Sequence, residues 1–333
     1  MLTASAQTPI VIAHRGASGY LPEHSLPAVT AAHIMNADYI EQDVVLSRDD
    51  IPVVLHDIHL EATTDVSEKF PDRARSDGRF YAIDFSLAEL KTLRLNERVS
   101  SKGEPVFSGR FPVEVPALSI PTLEEEILLI KGLNRTREHQ AGWYIEFKAP
   151  QFHRQAGKDL PGAVLAVLER HELNQAGANV ILQCFDPGTL RQLHDQGRTP
   201  LTRIQLIGDP SWDDANAADF AAMLTAEGLA EIAVYAHGIG PWVNQLFEAG
   251  TSVSNGLSER AHEQGLLIHP YTLRADSLPT GLADSFEALH EAVFMTVKAD
   301  GAFSDFPDIT KAYLERQFPS RDAAGTMTGS QKP

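Results

Sequence analysis

The sequence predicts an α/β protein in which eight parallel strands form a closed barrel with helices on its outside. Three observations carry this prediction. Short apolar segments alternate with segments that carry helix signals, a pattern typical of a parallel sheet covered by helices. The apolar segments number eight, which is the count that a closed (β/α)8 barrel requires. Most of them are too short for helices and too apolar for edge strands that face solvent.

Helix signals separate several of the predicted strands. Ser25 can cap a helix that runs toward Asn36, Thr122 begins a capping box ahead of an apolar run, and Asp186 precedes a first-turn proline. Residues 285–298 show the apolar spacing of an amphipathic helix. The strands themselves are predicted at residues 9–13, 39–46, 143–147, 180–185, 202–207, 231–236, 266–271 and 301–304.

Residues 57–121 interrupt this alternation. The segment is rich in charged residues, glycine and proline, and it contains no clear strand–helix unit. A structureless loop of this length is uncommon inside a compact domain. We therefore expect an inserted subdomain after an early strand, within a single domain over residues 7–320. Residues 321–333 are polar and rich in Gly, Ser and Thr, and we expect a disordered tail there.

The composition argues against several classes of protein. The 45 Asp and Glu residues outnumber the 28 Lys and Arg residues, and the net charge of −17 opposes binding to nucleic acid or anionic lipid. No apolar run approaches the ~18 residues that a membrane-spanning helix needs. An anionic substrate would therefore have to be attracted by cations or a metal inside a cleft. The single cysteine, Cys184, excludes an intrachain disulfide.

The first residues bear on localisation. Residues 2–7 contain an Ala-x-Ala pattern, as found at the cleavage end of a secretory signal, but the charged and apolar parts of such a signal are missing. An ordinary tail of small residues explains the pattern equally well. We expect a periplasmic or secreted protein whose signal has been removed, with the cytoplasm as the alternative.

Two histidines close apolar strands at the predicted mouth of the barrel. His14 directly follows the first strand, and His56 ends an apolar run that begins at Val53. Residues just past the carboxyl ends of barrel strands lie where active sites form. A histidine there can transfer protons near neutral pH. Arg15, next to His14, can place its planar fork on phosphate oxygens.

Three carboxylates and one lysine lie near the ends of two predicted strands. Because side chains alternate along a strand, Glu41 and Asp43 point to one face, and so do Glu146 and Lys148. Neighbouring carboxylates repel each other unless a cation or a proton lies between them, and hard oxygen ligands suit Ca²⁺ or Mg²⁺. The carboxylates are therefore candidate metal ligands, and Lys148 is a candidate phosphate contact. Solvated strand ends and a surface ion pair are the simpler alternatives.

Taken in order, these motifs resemble the glycerophosphodiester phosphodiesterase family. The similarity covers essentially the whole chain, from Pro9 to about Phe318. Each motif is weak alone, whereas the ordered set is highly specific. Residues 19–25 and 269–274 resemble the long periplasmic branch of the family. The motifs are His14-Arg15-Gly16, Glu41-x-Asp43, His56-Asp57, Glu146-x-Lys148, Gln183-Cys184-Phe185-Asp186 and residues 300–307.

The resemblance implies a (β/α)8 TIM barrel with an inserted subdomain and the metal-dependent hydrolysis of small glycerophosphodiesters. Glycerophosphocholine and glycerophosphoethanolamine would give sn-glycerol 3-phosphate and an alcohol. One divalent cation is implied, with Ca²⁺ favoured and Mg²⁺ as the alternative. Tyr271 and Arg274 replace the Trp and Asn of the commoner family pattern. The implied roles are an acid/base pair of His14 and His56, metal ligands Glu41, Asp43 and Glu146, phosphate contacts Arg15 and Lys148, and a glycerol side formed by Phe185, Tyr271 and Phe303.

Two alternative functions belong to other classes. A barrel phospholipase that acts on lipid phosphodiesters would need an apolar membrane-docking loop, which the sequence does not show, and the acidic surface opposes its approach to a membrane. A non-catalytic periplasmic binding protein would have no need of a proton-transfer pair such as His14 and His56. The sequence therefore favours a diesterase that acts on a small molecule.

Overall fold

Eight parallel strands close into the predicted (β/α)8 barrel. The computed structural model describes residues 8–113, 118–209, 211 and 218–319; the signal-like residues 2–7 and the predicted tail at 321–333 lie outside these ranges. The strands are β1 (Ile10–Ala13), β2 (Tyr39–Leu46), β3 (Pro52–Val54), β4 (Gly142–Phe147), β5 (Val180–Cys184), β6 (Thr202–Ile207), β7 (Gly238–Pro241), β8 (Leu267–Ile268) and β9 (Gly301–Ser304).

The barrel strands follow the order β8-β7-β6-β5-β4-β2-β1-β9, and every pair along this path is parallel. The segment after β8 completes the circle. The Phe303 N–H of β9 donates to the Pro270 carbonyl at 3.0 Å, and the Leu273 N–H donates to the Phe303 carbonyl at 2.8 Å. Strand β3 stays outside this circle, because it pairs with β2 in the antiparallel direction.

Helices cover the outside of the barrel, and three of their starts were predicted. Ser25, Thr122 and Asp186 each accept a hydrogen bond from a backbone N–H of the first turn that they cap. No helix in the described part of the chain is both long and apolar enough to cross a membrane. The helices are α1 (Leu26–Ile34), α2 (Val66–Lys69), α3 (Leu87–Leu90), α4 (Leu123–Thr136), α5 (Pro150–Gln155), α6 (Leu160–Arg170), α7 (Pro187–Asp195), α8 (Phe220–Met223), α9 (Ala226–Tyr235), α10 (Leu257–Glu263), α11 (Phe286–His290), which continues as a π-helical turn (Glu291–Thr296), and α12 (Pro307–Gln317), with 3₁₀ turns at Pro71–Arg73, Ala82–Asp84 and Val243–Leu246.

One predicted strand is wrong. Residues 231–236 are helical almost to their end, because they form the second half of α9. The buried residues of this helix are Leu229, Ile232 and Tyr235, a spacing of three that belongs to a helix and not to a strand. The sixth barrel strand is the following β7, which contains two glycines and a proline. Ile239 is its one β-branched residue, so the composition gives only a weak strand signal.

The described part of residues 57–121, hereafter the insertion, contributes to a second apolar core beside the barrel mouth. Its secondary structure consists of α2, α3 and two of the 3₁₀ turns. The antiparallel pairing of β3 with the carboxyl end of β2 leads the chain into the insertion. The hairpin of β2 and β3 therefore serves both the barrel and the insertion. The second apolar core, hereafter the insertion core, combines three residues that precede the insertion, Val45, Val53 and Leu55, with nine residues of the insertion, Leu60, Val66, Phe80, Ala82, Phe85, Leu90, Leu93, Leu95 and Ile120.

A small apolar layer fills the inside of the barrel. Ile12, Tyr144, Ile181, Ile204 and Phe303 are buried against one another there. The Tyr144 hydroxyl is satisfied by the ring nitrogen Nδ1 of His269 at 3.0 Å. This layer closes the lower part of the barrel and leaves the mouth as the place where polar side chains meet.

Candidate active site

A cavity of about 420 Å³ opens at the carboxyl ends of the barrel strands. All ten residues that the sequence singled out line this cavity, although they come from seven strands and the segments that follow them. Its wall also contains Gln183, Trp242 and Arg274, which the sequence analysis gave no role in the site. The predicted site residues in the wall are His14, Arg15, Glu41, Asp43, His56, Glu146, Lys148, Phe185, Tyr271 and Phe303.

Three buried carboxylates form a compact cluster in this wall. Glu41 and Asp43 lie on one face of β2, and Asp43 is in register with Glu146 of β4. One oxygen from each of the three side chains lies within 4.8 Å of the others. Burial raises the pKa of Glu41 well above its usual value and that of Glu146 to about 8. Burial also opposes the ionisation of Asp43, but the Lys148 charge and the His24 hydrogen bond hold its pKa well below the usual range.

This cluster fits one divalent cation. The Oδ1 atom of Asp43 is buried and has no hydrogen-bond partner among the described residues. All three side chains offer oxygen ligands, which are the ligands that Ca²⁺ and Mg²⁺ prefer. A divalent charge between the three would offset the repulsion and burial that keep two of the carboxyls from ionising. The residues present are therefore those that such an ion needs.

Four polar neighbours fix the orientation of the carboxylates. Gln183 Nε2 donates to Glu41 Oε1 at 2.8 Å, and the Arg15 backbone N–H donates to Glu41 Oε2 at 2.9 Å. His24 Nε2 lies 2.7 Å from Asp43 Oδ2, and Lys148 Nζ lies 2.7 Å from Glu146 Oε1. The Lys148–Glu146 pair is largely buried, so the alternative of a surface ion pair is wrong. The sequence analysis did not single out His24 and Gln183, although both lie within segments that carry the family resemblance.

The backbone at His14 and Arg15 turns sharply to reach this cluster. Arg15 adopts a left-handed conformation with φ of 55°, which is uncommon for a residue with a side chain and tends to occur at functional sites. Gly16 follows with φ of 81°, and a Cβ atom there would lie 2.8 Å from the Ala28 carbonyl carbon. Glycine is therefore required for the turn that presents both preceding residues to the cavity.

Each predicted catalytic histidine is held by an aspartate at the same ring nitrogen. His14 Nδ1 lies 2.6 Å from Asp305 Oδ1, and His56 Nδ1 lies 2.6 Å from Asp57 Oδ1. Because a carboxylate only accepts hydrogen bonds, Nδ1 carries the proton, and Nε2 of a neutral ring is left to accept one. His14 Nε2 lies 3.8 Å from Glu41 Oε2, which places it beside the carboxylate cluster.

Both histidines are neutral near pH 7. Burial lowers the pKa of His14 to about 3, and the Arg15 charge adds to this effect. Burial lowers the pKa of His56 to about 4, with the charges of Arg15 and Lys148 acting in the same direction. In the substrate-free protein the Nε2 atom of each imidazole is therefore unprotonated and can accept a proton.

Arginines fix the two aspartates in turn. The second oxygen of Asp305 accepts hydrogen bonds from Arg110 at 2.6 Å and from Arg274 at 2.9 Å. Burial opposes ionisation of Asp305, but Arg274 and His14 outweigh it and keep the pKa of this carboxyl below its usual range. Asp305 therefore stays negative and holds His14 in one tautomer. Arg110 belongs to the insertion, so the insertion contributes directly to this arrangement.

Arg98, also from the insertion, holds Asp57, the aspartate that contacts His56. Its Nη1 donates to Asp57 Oδ2 at 2.6 Å, and its Nε and Nη2 fork onto the Glu23 carboxylate at 2.9 and 2.6 Å. Glu23 in turn accepts from Arg15 at 3.0 Å. Of the carboxylates that support the two histidines and Arg15, the sequence pointed only to Asp57 as the neighbour of His56. Asp305 and Glu23 lay within segments of the resemblance, without a role.

Aromatic side chains supply the rest of the lining. The rings of Phe185 and Tyr271 lie 5.9 Å apart at nearly right angles, and the Tyr271 hydroxyl donates to the Ile207 carbonyl at 2.9 Å. Phe303 is almost fully buried and packs with its ring edge-on to His14. It therefore belongs to the inner apolar layer as much as to the cavity. The lining as a whole combines charged groups for an anion with apolar surface for a carbon chain.

Comparison of the sequence with known proteins agrees with this geometry. The family model described as the glycerophosphoryl diester phosphodiesterase family matches residues 14–309. A glycerophosphodiester phosphodiesterase of Haemophilus influenzae is 36% identical over 327 residues, which covers 92% of this chain and 90% of the relative.

Solved structures show the same fold. A candidate glycerophosphoryl diester phosphodiesterase from Silicibacter pomeroyi has a TM-score of 0.70 at 21% identity over 94% of this chain and 95% of that one. A phosphodiesterase from Oleispira antarctica, solved with the product sn-glycerol 3-phosphate, has a TM-score of 0.61 at 23% identity over 92% and 97% of the two chains. The chain belongs to the glycerophosphoryl diester phosphodiesterase family and is a phosphoric diester hydrolase.

Proposed function

We propose that the protein hydrolyses glycerophosphodiesters, such as glycerophosphocholine and glycerophosphoethanolamine, to sn-glycerol 3-phosphate and an alcohol. The observation that carries the proposal is one cavity that holds two aspartate-supported histidines beside a buried carboxylate cluster. The Oleispira antarctica protein of the same fold was solved with sn-glycerol 3-phosphate as its product, which supports the choice of product.

Two cationic side chains and one metal ion would bind the phosphate. Arg15 and Lys148 line the cavity, and their charges can offset the negative charge of a phosphodiester. A divalent ion held by Glu41, Asp43 and Glu146 would act as a Lewis acid toward the phosphoryl oxygens. We favour Ca²⁺ over Mg²⁺, because Ca²⁺ tolerates an irregular shell of oxygen ligands.

Proton transfer is the task of the two histidines. His14 is the proposed base, since its Nε2 is unprotonated and lies beside the carboxylate cluster. His56 is the proposed acid, because its side chain is 30% exposed and the leaving alcohol must depart toward solvent. The charges of Arg15 and Lys148 contribute to the low pKa of His56. A phosphate bound between these cations would offset their effect and raise that pKa, so that the ring can carry the proton it donates.

The glycerol half of the substrate is assigned to the aromatic part of the cavity. Phe185, Tyr271 and Phe303 provide apolar surface for the carbon chain, and Arg274 replaces the asparagine of the commoner family pattern. The same histidine pair serves whether water attacks the phosphorus directly or the neighbouring glycerol hydroxyl first forms a cyclic phosphate. We also propose a periplasmic or secreted location, which the similarity of residues 19–25 and 269–274 to the long periplasmic branch supports.

A coupled assay tests the central proposal. The purified protein is incubated with glycerophosphocholine and either Ca²⁺, Mg²⁺ or excess chelator, and sn-glycerol 3-phosphate is measured with a dehydrogenase. We expect product with a divalent ion and none with chelator. A doubly substituted protein, His14→Ala with His56→Ala, is the control for contaminating activity. Absence of product from the unaltered protein with both metals would contradict the proposed reaction.

A further inference from the structure

A second cavity of about 280 Å³, hereafter the insertion pocket, adjoins the first one. The two cavities share His14, Arg15, His56 and Arg274 as lining residues. The shared residues include both proton-transfer histidines. A phosphodiester held between these histidines would have two ester arms. With one arm in the aromatic cavity, the insertion pocket is the adjoining space open to the other arm. The insertion supplies Glu97, Arg98, Val106, Phe107 and Arg110 to this pocket.

The cations of the insertion pocket already have anionic partners. Each of its four arginines forms an ion pair with a carboxylate of the protein. Apart from Arg15, the proposed phosphate contact, they offer no unpaired cation to an anionic group on the leaving alcohol. The pairs are Arg15 with Glu23, Arg98 with Glu23 and Asp57, Arg110 with Asp276 and Asp305, and Arg274 with Asp305.

Glu97 is the exception among the carboxylates of the pocket. Its residue surface is only 3% exposed, and its Oε2 atom is buried without a hydrogen-bond partner among the described residues. No ion pair links it to a lysine or arginine of the described ranges. Burial raises the pKa of Glu97 to about 7, and the nearby Glu23 charge acts in the same direction, whereas the Arg110 charge, a hydrogen bond from the Arg98 backbone N–H and the Arg98 charge offset part of this rise. A buried carboxyl without a cation is destabilising unless a ligand supplies the missing partner.

We infer that the insertion pocket receives the leaving alcohol and that Glu97 selects alcohols that carry an ammonium group, such as choline and ethanolamine. The Glu97 carboxyl has no ion-pair partner among the described residues, so it is the group that a cationic ligand would complete. The pocket lies directly beside the proposed acid His56. This inference rests on the proposed function. Glu97 is a specificity-determining residue in this account and takes no part in proton transfer.

The sharpest test keeps the protein unchanged and alters the charge of the substrate. Glycerophosphocholine is compared with the diester of 3,3-dimethylbutanol, in which an uncharged carbon replaces the quaternary nitrogen and the shape is retained. We expect kcat/KM to be about tenfold higher for the choline ester, since a desolvated opposite charge contributes to binding where a neutral isostere does not. Equal kcat/KM values would overturn the inference while leaving the proposed function intact. Hydrolysis of neither compound would instead contradict the proposed function.

Substitution of Glu97 assigns the selectivity to one residue. Glu97→Gln keeps the side-chain shape and should abolish the preference for the choline ester, lowering its kcat/KM about tenfold and that of the neutral ester by less than about twofold. Glu104→Gln removes an exposed carboxylate from the same insertion and should change neither value. An equal loss on both esters, or an unchanged preference in Glu97→Gln, would overturn the assignment.

Discussion

The individual side chains of the site depend on one another for their charge states. Asp43 stays ionised because Lys148 and His24 stabilise its charge, whereas Glu41 and Glu146 are driven toward the protonated form by burial and by their acidic neighbours. His14 and His56 are neutral because burial and nearby cations lower the pKa of both imidazoles. Substitutions in this network should therefore act on metal affinity and on proton transfer separately.

The first prediction concerns the metal. Asp43→Asn and Glu146→Gln should each weaken divalent-ion binding by about tenfold or more, because one charged ligand is lost from the site. Isothermal titration with Ca²⁺ and Mg²⁺ measures the affinity directly. Glu138→Gln, at an exposed position, is the matched control and should bind as the unaltered protein does. Unchanged affinity in both site variants would mean that the cluster does not hold the ion.

The second prediction separates acid from base. His14→Ala and His56→Ala should each lower kcat by roughly 10²–10⁴, the usual contribution of acid/base catalysis. The double variant should lose much less than the product of the two effects, because the residues act together. A substrate with a nitrophenol leaving group needs no proton donor, so it should restore the rate of His56→Ala but not of His14→Ala. Rescue of His14→Ala alone would exchange the two roles.

At the scale of strands and helices, alternation along β2 and β4 was enough to predict which carboxylates share a face. It was not enough to predict which side chains hold the carboxylates and the histidines in place. The Asp305–His14 contact joins the ends of β9 and β1, strands that neighbour each other only because the barrel closes. Strand β7 was missed because close packing there uses glycine: a Cβ at Gly238 would lie 2.7 Å from the Leu267 carbonyl oxygen. The need for glycine at such a position comes from the neighbouring strand, and it produces no apolar pattern in the sequence of β7 itself.

The third prediction concerns the contact between α4 and β2. Glu126 lies in the first turn of α4, is fully buried, and has no hydrogen-bond partner for either carboxylate oxygen among the described residues. Burial raises its pKa well above the usual value, and the charges of Asp43 and Glu125 act in the same direction. A raised folded-state pKa stabilises the fold at pH below the unfolded-state pKa of about 4.3, and this stabilisation is lost as pH rises toward the folded-state value. Near pH 7 to 8 the buried Glu126 carboxyl therefore lowers the free energy of unfolding.

Glu126→Gln should consequently flatten the pH dependence of stability. Relative to the unaltered protein, its free energy of unfolding should improve as pH rises from about 4 to 8. Urea unfolding at several pH values measures this difference. Glu124→Gln is the control on the same helical turn, where the His171 hydrogen bond lowers the pKa of the carboxyl and the expected trend has the opposite sign. Parallel pH profiles for Glu126→Gln and the unaltered protein would contradict this account.

At the scale of the whole molecule, residues of the insertion and of the barrel meet at one candidate active site, which is flanked by two apolar cores. The insertion core is the smaller one and is joined to the barrel through the hairpin of β2 and β3. Within the insertion, Arg98 holds Asp57, which contacts His56, and Arg110 reaches from the insertion to Asp305, which contacts His14.

The last prediction separates the two cores. Phe85 is fully buried in the insertion core, and Phe85→Ala should remove about 3–5 kcal/mol of local packing energy. Because the smaller core opens first, limited proteolysis mapped by mass spectrometry should show cleavage within residues 57–121 while the barrel stays intact. Diesterase activity should fall with this cleavage, since Arg98 and Arg110 then no longer hold Asp57 and Asp305.

The control variant Leu182→Ala creates a comparable cavity in the barrel core. It should increase cleavage throughout the chain and not selectively within residues 57–121. Cleavage of Phe85→Ala throughout the chain in a single unfolding transition would show instead that insertion and barrel unfold as one cooperative unit.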